Sequence, residues 1–416
     1  MKRIYGNLIS VIGGEAVVRT ANLSAVLVIA RLYGAFALGA YAACLAVVTV
    51  VVMFADNGLQ TSAIADLSAA GSEPSKIMGQ LYLSKTILIF AALLALGGIA
   101  YYMKFGFFVL AIGGWVTLRT VLQSFSQLQI AALKALAKVN GIGVIQLIHA
   151  LLLFIGVWMT HRLGWGIFAL LAWLSMGQVS ELFLMGLALR RSGLRAVWPV
   201  SGFFWKSMRR STPFGITSGL ANLILRGDTV VLSTIVSLPE LGTFSAANTI
   251  IAVVYAASWI FGSILLAEMV RLTPSTEGLK AYVRKWTRVI VVTTTPCALV
   301  LFWTGPKLIT LFYGPGFHRS GVLASVMALA CPLILLNSLY TNLAFATGSK
   351  CTFLGLFAVT AAAAIGLDLL FGHALGSMGV AVAIVIREMG MQAGFRILMS
   401  RALSPARPLG YSVSSS

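Results

Sequence analysis

At 416 residues the chain is long enough for two or three soluble domains, but only 10% of its residues are charged and its mean hydropathy is +0.94. Soluble domains carry roughly 25% charged residues, and apolar stretches of roughly 18 residues or more recur from end to end here, which excludes a soluble multidomain protein. The class is all-α, a polytopic membrane protein. The 30 basic and 11 acidic residues give a net charge of +19; in such a chain this signals basic loops on the cytoplasmic side, not nucleic-acid binding.

The start is basic, but the apolar run after it contains Glu15 and Arg19 and reaches no small-residue cleavage site. It reads as a retained first span, not a signal peptide. Twelve helices are predicted, each near the length a bilayer core demands: 8–32, 36–56, 77–102, 107–132, 139–160, 164–189, 213–236, 240–270, 287–311, 320–346, 351–372 and 375–400. The longer connections are 57–76, 190–212 and 271–286, too short for an extramembrane domain. With the N-terminus placed in the cytoplasm, nineteen basic residues fall in inside segments. Four fall outside: Arg31, Lys104, Arg162 and Arg319. That asymmetry predicts both termini inside and an even number of spans.

Segment 190–212 mixes Trp198, Phe203, Phe204 and Trp205 with six cations, the composition of an amphipathic helix on the cytoplasmic face. It divides the chain into an N-lobe (1–189) and a C-lobe (213–400) of six spans each, with a cytoplasmic tail at 401–416. The halves look related. Leu-Gly-Ala-Tyr-Ala-Ala at 38–43 and Leu-Gly-Thr-Phe-Ser-Ala at 241–246 both open an even-numbered span. Six spans per half make the repeats parallel, an arrangement that in transporters puts the substrate site at the interface of the halves.

Ionisable residues inside spans are costly and need a partner or water. Glu15 and Arg19, four apart, share a helix face and can pair; Asn22 extends that face, and the stripe is expected to line a water-filled cavity. Arg119 heads the most hydrophilic stretch in any span, with Gln123, Ser126, Gln127 and Gln129 after it. Glu181, beside Gln178, is a candidate counter-charge for Arg119. Arg226 and Asp228 are two apart, so each seeks its own partner; Arg226 is read as a cavity cation. Lys85 is expected to snorkel, His149 to be a structural histidine, and the adjacent Arg387 and Glu388 to point in different directions as helix ties. The four cysteines show no metal spacing and read as small buried hydrophobes.

No Walker-type phosphate loop, HExxH, nucleophile elbow, acidic magnesium cluster or glycosyl-transfer carboxylate pair is present. The chain therefore reads as no enzyme, with no cofactor and no metal. Interior guanidiniums suit an anionic substrate, because their planar fork matches phosphate oxygens and stays charged at any working pH.

Several segments together resemble bacterial polysaccharide flippases of the Wzx type: Ile-Ala-Arg-Leu-Tyr-Gly-Ala-Phe-Ala-Leu-Gly-Ala-Tyr-Ala-Ala at 29–43, Ala-Asp-Asn-Gly-Leu-Gln-Thr-Ser-Ala-Ile-Ala-Asp at 55–66, the run 213–248, and Leu-Phe-Tyr-Gly-Pro-Gly-Phe at 311–317. These flippases share a superfamily with multidrug exporters of the MATE type and with lipid II flippases. The resemblance implies two six-helix lobes around a central cavity, working by alternating access. It also implies an undecaprenyl-diphosphate-linked oligosaccharide as substrate, moved from the cytoplasmic to the outer leaflet of the bacterial inner membrane. The chain is somewhat short for the lipid II branch, which carries two further helices. Arg19, Asn22, Arg119, Gln123 and Arg226 are the expected substrate-binding residues. Glu15, Glu181 and Asp228 are the expected ion-coupling residues. Expected partners are the lipid-linked substrate, membrane lipids and other polysaccharide-assembly proteins such as a polymerase. Two other readings are a MATE-type cation or drug antiporter driven by protons or sodium, and a membrane-embedded polymerase or glycosyltransferase.

Overall fold

The computed structural model describes residues 2–402 except 57, 69–72, 104, 140, 195–196, 198–202, 274 and 348–349. The expected tail from 403 onward and the middle of the expected 190–212 linker lie outside the described residues. Twelve α-helices follow in order: α1 (Lys2–Asp56), α2 (Leu59–Ser68), α3 (Pro74–Met103), α4 (Phe107–Ala135), α5 (Ile142–Leu163), α6 (Ile167–Arg191), α7 (Phe203–Ile235), α8 (Leu238–Leu272), α9 (Thr276–Tyr313), α10 (His318–Ala328), α11 (Cys331–Ala346) and α12 (Lys350–Ala402).

Eight of these segments are long and apolar enough to cross a membrane, or nine when α10 and α11 are taken as one bent span. Two are too long for a single crossing, since 20 residues already span roughly 30 Å. Each of those two is broken at a glycine. Gly34 in α1 has φ 77° and ψ −175°, and Gly376 in α12 has φ 59° and ψ −138°. Positive φ with extended ψ is a region essentially reserved for glycine, so each helix is kinked there without an intervening loop. α7 is long enough to cross, at 33 residues, but falls outside that apolar set. The protein is an all-α, multi-pass membrane protein.

Two expectations change in detail. The connection 57–76 contains the helix α2. The tenth span is two helices bent by 44°, because Pro332 in the first turn of α11 has no N–H to continue the α10 ladder.

The chain divides into two compact units, Met1–Arg226 and Gly227–Ser416. In the first, Leu59, Met78, Leu81, Leu128, Leu133, Ile142 and Met185 form a core between α2, α3, α4, α5 and α6. In the second, Leu265, Met269, Leu279, Leu339, Leu343 and Phe395 do the same for α8, α9, α11 and α12. Large apolar side chains outside these cores, Phe90, Leu94, Phe183, Val292, Trp303 and Leu370 among them, are exposed; hydrocarbon, not water, is their natural solvent. Tyr101, Tyr102 and Phe107 cluster at the α3–α4 turn, where an interfacial aromatic belt belongs.

The break in α12 is latched by one carboxylate. Glu240, in the first turn of α8, accepts from the Ser377 backbone N–H at 3.1 Å and from Ser377 Oγ at 2.8 Å, and Arg319 Nη2 of α10 lies 3.4 Å from the same oxygen. It serves as an N-cap for the second half of α12, donated by another helix. Glu240→Ala should lower stability by about 1–2 kcal/mol, read as an earlier unfolding midpoint of the detergent-solubilised protein. Glu240→Gln should retain part of it.

Candidate functional site

In the first unit the polar residues of α1 and α4 converge. Arg19 Nη2 is 2.9 Å from Glu15 Oε1, with both side chains about half exposed, at 54% and 51%. One turn on, Asn22 accepts a hydrogen bond from Arg119 Nη2 on α4, and Arg119 Nη1 donates to Tyr41 Oη at 3.2 Å. Gln123 follows Arg119 by one turn and is exposed. The structure thus brings Glu15, Arg19, Asn22, Arg119 and Gln123 onto adjoining turns of two packed helices, with Arg19 paired to Glu15 and Arg119 bound to neutral partners. Arg119 is half-buried, and its Nε has no hydrogen-bond partner. Arg226, also half-buried, makes no hydrogen bond or ion pair among the described residues.

Glu181 is not the counter-charge of Arg119. It pairs with His149 of α5, Oε2 to Nδ1 at 2.7 Å, and accepts from Gln178 Nε2 at 2.8 Å. Gln178 also donates to Ser126 Oγ of α4 at 3.1 Å. All four side chains are buried, so one polar chain joins α4, α5 and α6 inside an apolar unit. The sequence does hold a local sign of this. Gly177 lies four residues before Glu181 on the same face, and a Cβ there would sit 3.1 Å from the His149 ring. The glycine makes room for the imidazole.

Lys85 does not snorkel. It is fully buried, 2.6 Å from Asp56 Oδ1 at the end of α1. Asp56 also accepts from Ser124 Oγ and Gln60 Nε2, each at 2.8 Å, and the ammonium lies 5.7 Å from the Phe125 ring centre. Packing of α3 against α2 and α4 leaves no route to the headgroups, and the carboxylate supplies the compensation that burial requires.

In the second unit Arg387 and Glu388 converge instead of diverging. Tyr255 Oη of α8 donates to Glu388 Oε1 at 2.6 Å and accepts from Arg387 Nη2 at 3.2 Å, while Asn337 Nδ2 of α11 donates to Glu388 Oε2 at 2.8 Å. A side-chain hydroxyl on a neighbouring helix closes the angle that the i,i+1 spacing opens. Asp228 and Asp368 lie within electrostatic reach of Arg387. Asp228 accepts from the Thr229 backbone N–H at 2.6 Å. Every carboxylate and the guanidinium here are at most 4% exposed. Among the described residues, no group of three or more His, Cys, Asp or Glu side chains is gathered so as to hold a metal ion.

The two units therefore differ in what they offer a ligand. Arg19, Arg119, Gln123 and Arg226 are at least partly accessible, and Arg226 is uncompensated. The charges around Arg387 are sealed, although Arg387 Nη1 and Asp368 Oδ2 lack a hydrogen-bond partner among the described residues.

A family model described as polysaccharide biosynthesis protein matches residues 5–264. No curated protein matches the sequence. Among solved structures, the chain is similar to the lipid II flippase MurJ in an inward closed conformation, with 14% identity, 94% of this chain and 89% of that chain covered, and a TM-score of 0.77. It is similar to a multidrug resistance MATE family transporter in its inward-facing conformation, with 14% identity, 93% and 96% covered, and a TM-score of 0.74. A MOP superfamily transporter from Pyrococcus furiosus is also similar, with 14% identity, 95% of each chain covered and a TM-score of 0.61.

Proposed function

Because this chain belongs to the polysaccharide biosynthesis protein family, a flippase family of the MOP superfamily, we propose that it is a flippase for an undecaprenyl-diphosphate-linked oligosaccharide. It moves this cargo by alternating access from the cytoplasmic to the outer leaflet of the bacterial inner membrane, with both termini cytoplasmic and without enzymatic chemistry. The observation that carries the reading is the partly accessible guanidinium set, Arg19, Arg119 and Arg226, of which Arg226 has no protein counter-ion among the described residues. Arginine binds phosphate oxygens through paired, charge-assisted hydrogen bonds. Asn22 and Gln123 offer amides for sugar hydroxyls. An organic cation would meet net positive charge on these helices, which weighs against a MATE-type drug antiporter.

Proton coupling falls to the His149–Glu181 pair. The pair is buried and links α5 to α6, with the imidazole 2.7 Å from the carboxylate, so a relative shift of these helices during a transport cycle changes its surroundings. Glu15, which faces Arg19, and Asp228, near Arg387, are further coupling groups.

The test uses purified protein in phospholipid vesicles, with a radiolabelled undecaprenyl-diphosphate oligosaccharide and a glycosidase outside. The protein should raise the fraction of cargo cleaved, and an inward or outward pH gradient should change the rate. Ethidium should not be transported. His149→Gln and Glu181→Gln should each remove the effect of the gradient while leaving gradient-independent exchange. Ethidium transport without oligosaccharide exchange would overturn the cargo assignment, and a wild-type rate indifferent to the gradient would overturn the coupling.

A further inference from the structure

The first unit holds a cavity of about 570 Å³ that the transport reading does not use. It lies between Met78 and Tyr82 of α3, Gln129 of α4, Gly186, Leu189 and Arg190 of α6, and Leu194 just beyond. Its lining is mixed: Met78, Leu189 and Leu194 supply apolar surface, and Tyr82, Gln129 and Arg190 supply polar surface. The polar groups are incompletely used. Gln129 is 6% exposed; its Nε2 donates to Tyr82 Oη at 3.0 Å, and its Oε1 is buried with no hydrogen-bond partner. Because Tyr82 accepts that bond, its own O–H remains available as a donor. A buried amide oxygen without a donor costs free energy, so the arrangement is incomplete until something donates to it.

The mouth of the cavity is cationic. Arg190 is exposed there and has no ion pair among the described residues. Two described residues beyond it are anchored: Lys138 Nζ donates to the Ser192 carbonyl at 2.7 Å, and the Val197 N–H donates to the Ser75 carbonyl at 3.1 Å. Val197 is packed so closely on α3 that a Cβ at Gly79 would lie 1.8 Å from its carbonyl oxygen. The cavity is of a size usual for small-molecule sites.

We propose that this cavity binds the headgroup of a hydroxyl-bearing anionic phospholipid of the phosphatidylglycerol class. The phosphodiester meets Arg190. A glycerol hydroxyl donates to Gln129 Oε1 and another accepts from the Tyr82 hydroxyl. The glycerol backbone and the first acyl carbons lie along Met78, Leu189 and Leu194. Basic pockets between helix ends at the membrane surface are suited to anionic headgroups. Gln129 Oε1 needs a donor and the Tyr82 O–H needs an acceptor, and a hydroxyl headgroup supplies both. A phosphoethanolamine headgroup places an ammonium where the hydroxyl acceptor of Tyr82 should be, and brings a cation toward Arg190. The site is independent of the cargo.

The test is native mass spectrometry of the whole protein released from detergent, titrated separately with phosphatidylglycerol, phosphatidylethanolamine and soluble glycerol phosphate. Phosphatidylglycerol should bind at least tenfold more tightly than phosphatidylethanolamine. Arg190→Ala and Gln129→Leu should each weaken it by about tenfold, the scale of one lost hydrogen bond to a charged or buried group. Arg284→Ala, an exposed arginine of the other unit, should leave it unchanged. Arg190 is exposed, so its variant tests the site even if Gln129→Leu fails to fold. Equal binding of the two lipids, or binding indifferent to Arg190→Ala, overturns the proposal. Glycerol phosphate binding as tightly as the lipid overturns its membrane source.

Discussion

Asp56→Ala is expected to destabilise the first unit by about 3–5 kcal/mol, the range for breaking a buried ion pair at one end. The substitution leaves the Lys85 ammonium fully enclosed with no carboxylate beside it, and it strips Ser124 and Gln60 of their acceptor. Most of the loss is the cost of the abandoned charge, not the worth of the pair. Lys85→Met combined with Asp56→Leu should therefore recover much of the stability, because two apolar groups of similar volume replace two compensated charges. Thermal unfolding of the detergent-solubilised protein reads both variants. A double variant no more stable than Asp56→Ala would mean that the hydroxyl and amide bonds to Asp56 dominate.

Arg226→Ala is expected to lower oligosaccharide translocation by roughly 10- to 100-fold at unchanged thermal stability. The magnitude is that of one or two hydrogen bonds to a charged group, about 1.5–3 kcal/mol, at about 1.4 kcal/mol per tenfold. The unchanged stability follows from the absence of any hydrogen bond or ion pair to Arg226 among the described residues. Arg226→Lys should recover part of the activity, since the charge returns without the planar fork. Arg119→Ala makes the contrast: it should lose transport and some stability together, because it also releases Asn22 and Tyr41. Normal translocation in Arg226→Ala and Arg19→Ala together would refute the diphosphate contact.

The spans were legible because two independent regularities agree, the length of the apolar runs and the alternation of basic connections. The breaks at Gly34 and Gly376 were expected within a few residues, but their form was not. A helix that kinks at a single glycine leaves no polar loop to mark it. The helix α2 reads as a connection in the sequence because its ten residues are too few to resemble a span. At the polar positions, the Glu15–Arg19 pair was readable since both partners lie on one helix four residues apart. The partners of Lys85, Arg119, Glu181 and Glu388 were not, because each sits on a different helix and the choice among them is made by packing. The Arg387–Glu388 convergence depends on a tyrosine 132 residues away. His149 looked solitary for the same reason.

The single carboxylate of Glu240 has a mechanical consequence. It fastens the starts of α8 and of the second half of α12 to each other, with Arg319 of α10 alongside. Those three ends then behave as one plate. Spin labels placed on α8 and α12 near the latch should keep a constant separation throughout turnover, and Glu240→Ala should broaden that distance distribution. Motion in this unit is then expected elsewhere along its length, and the 44° bend between α10 and α11, where Pro332 interrupts the backbone ladder, is the place to look for it.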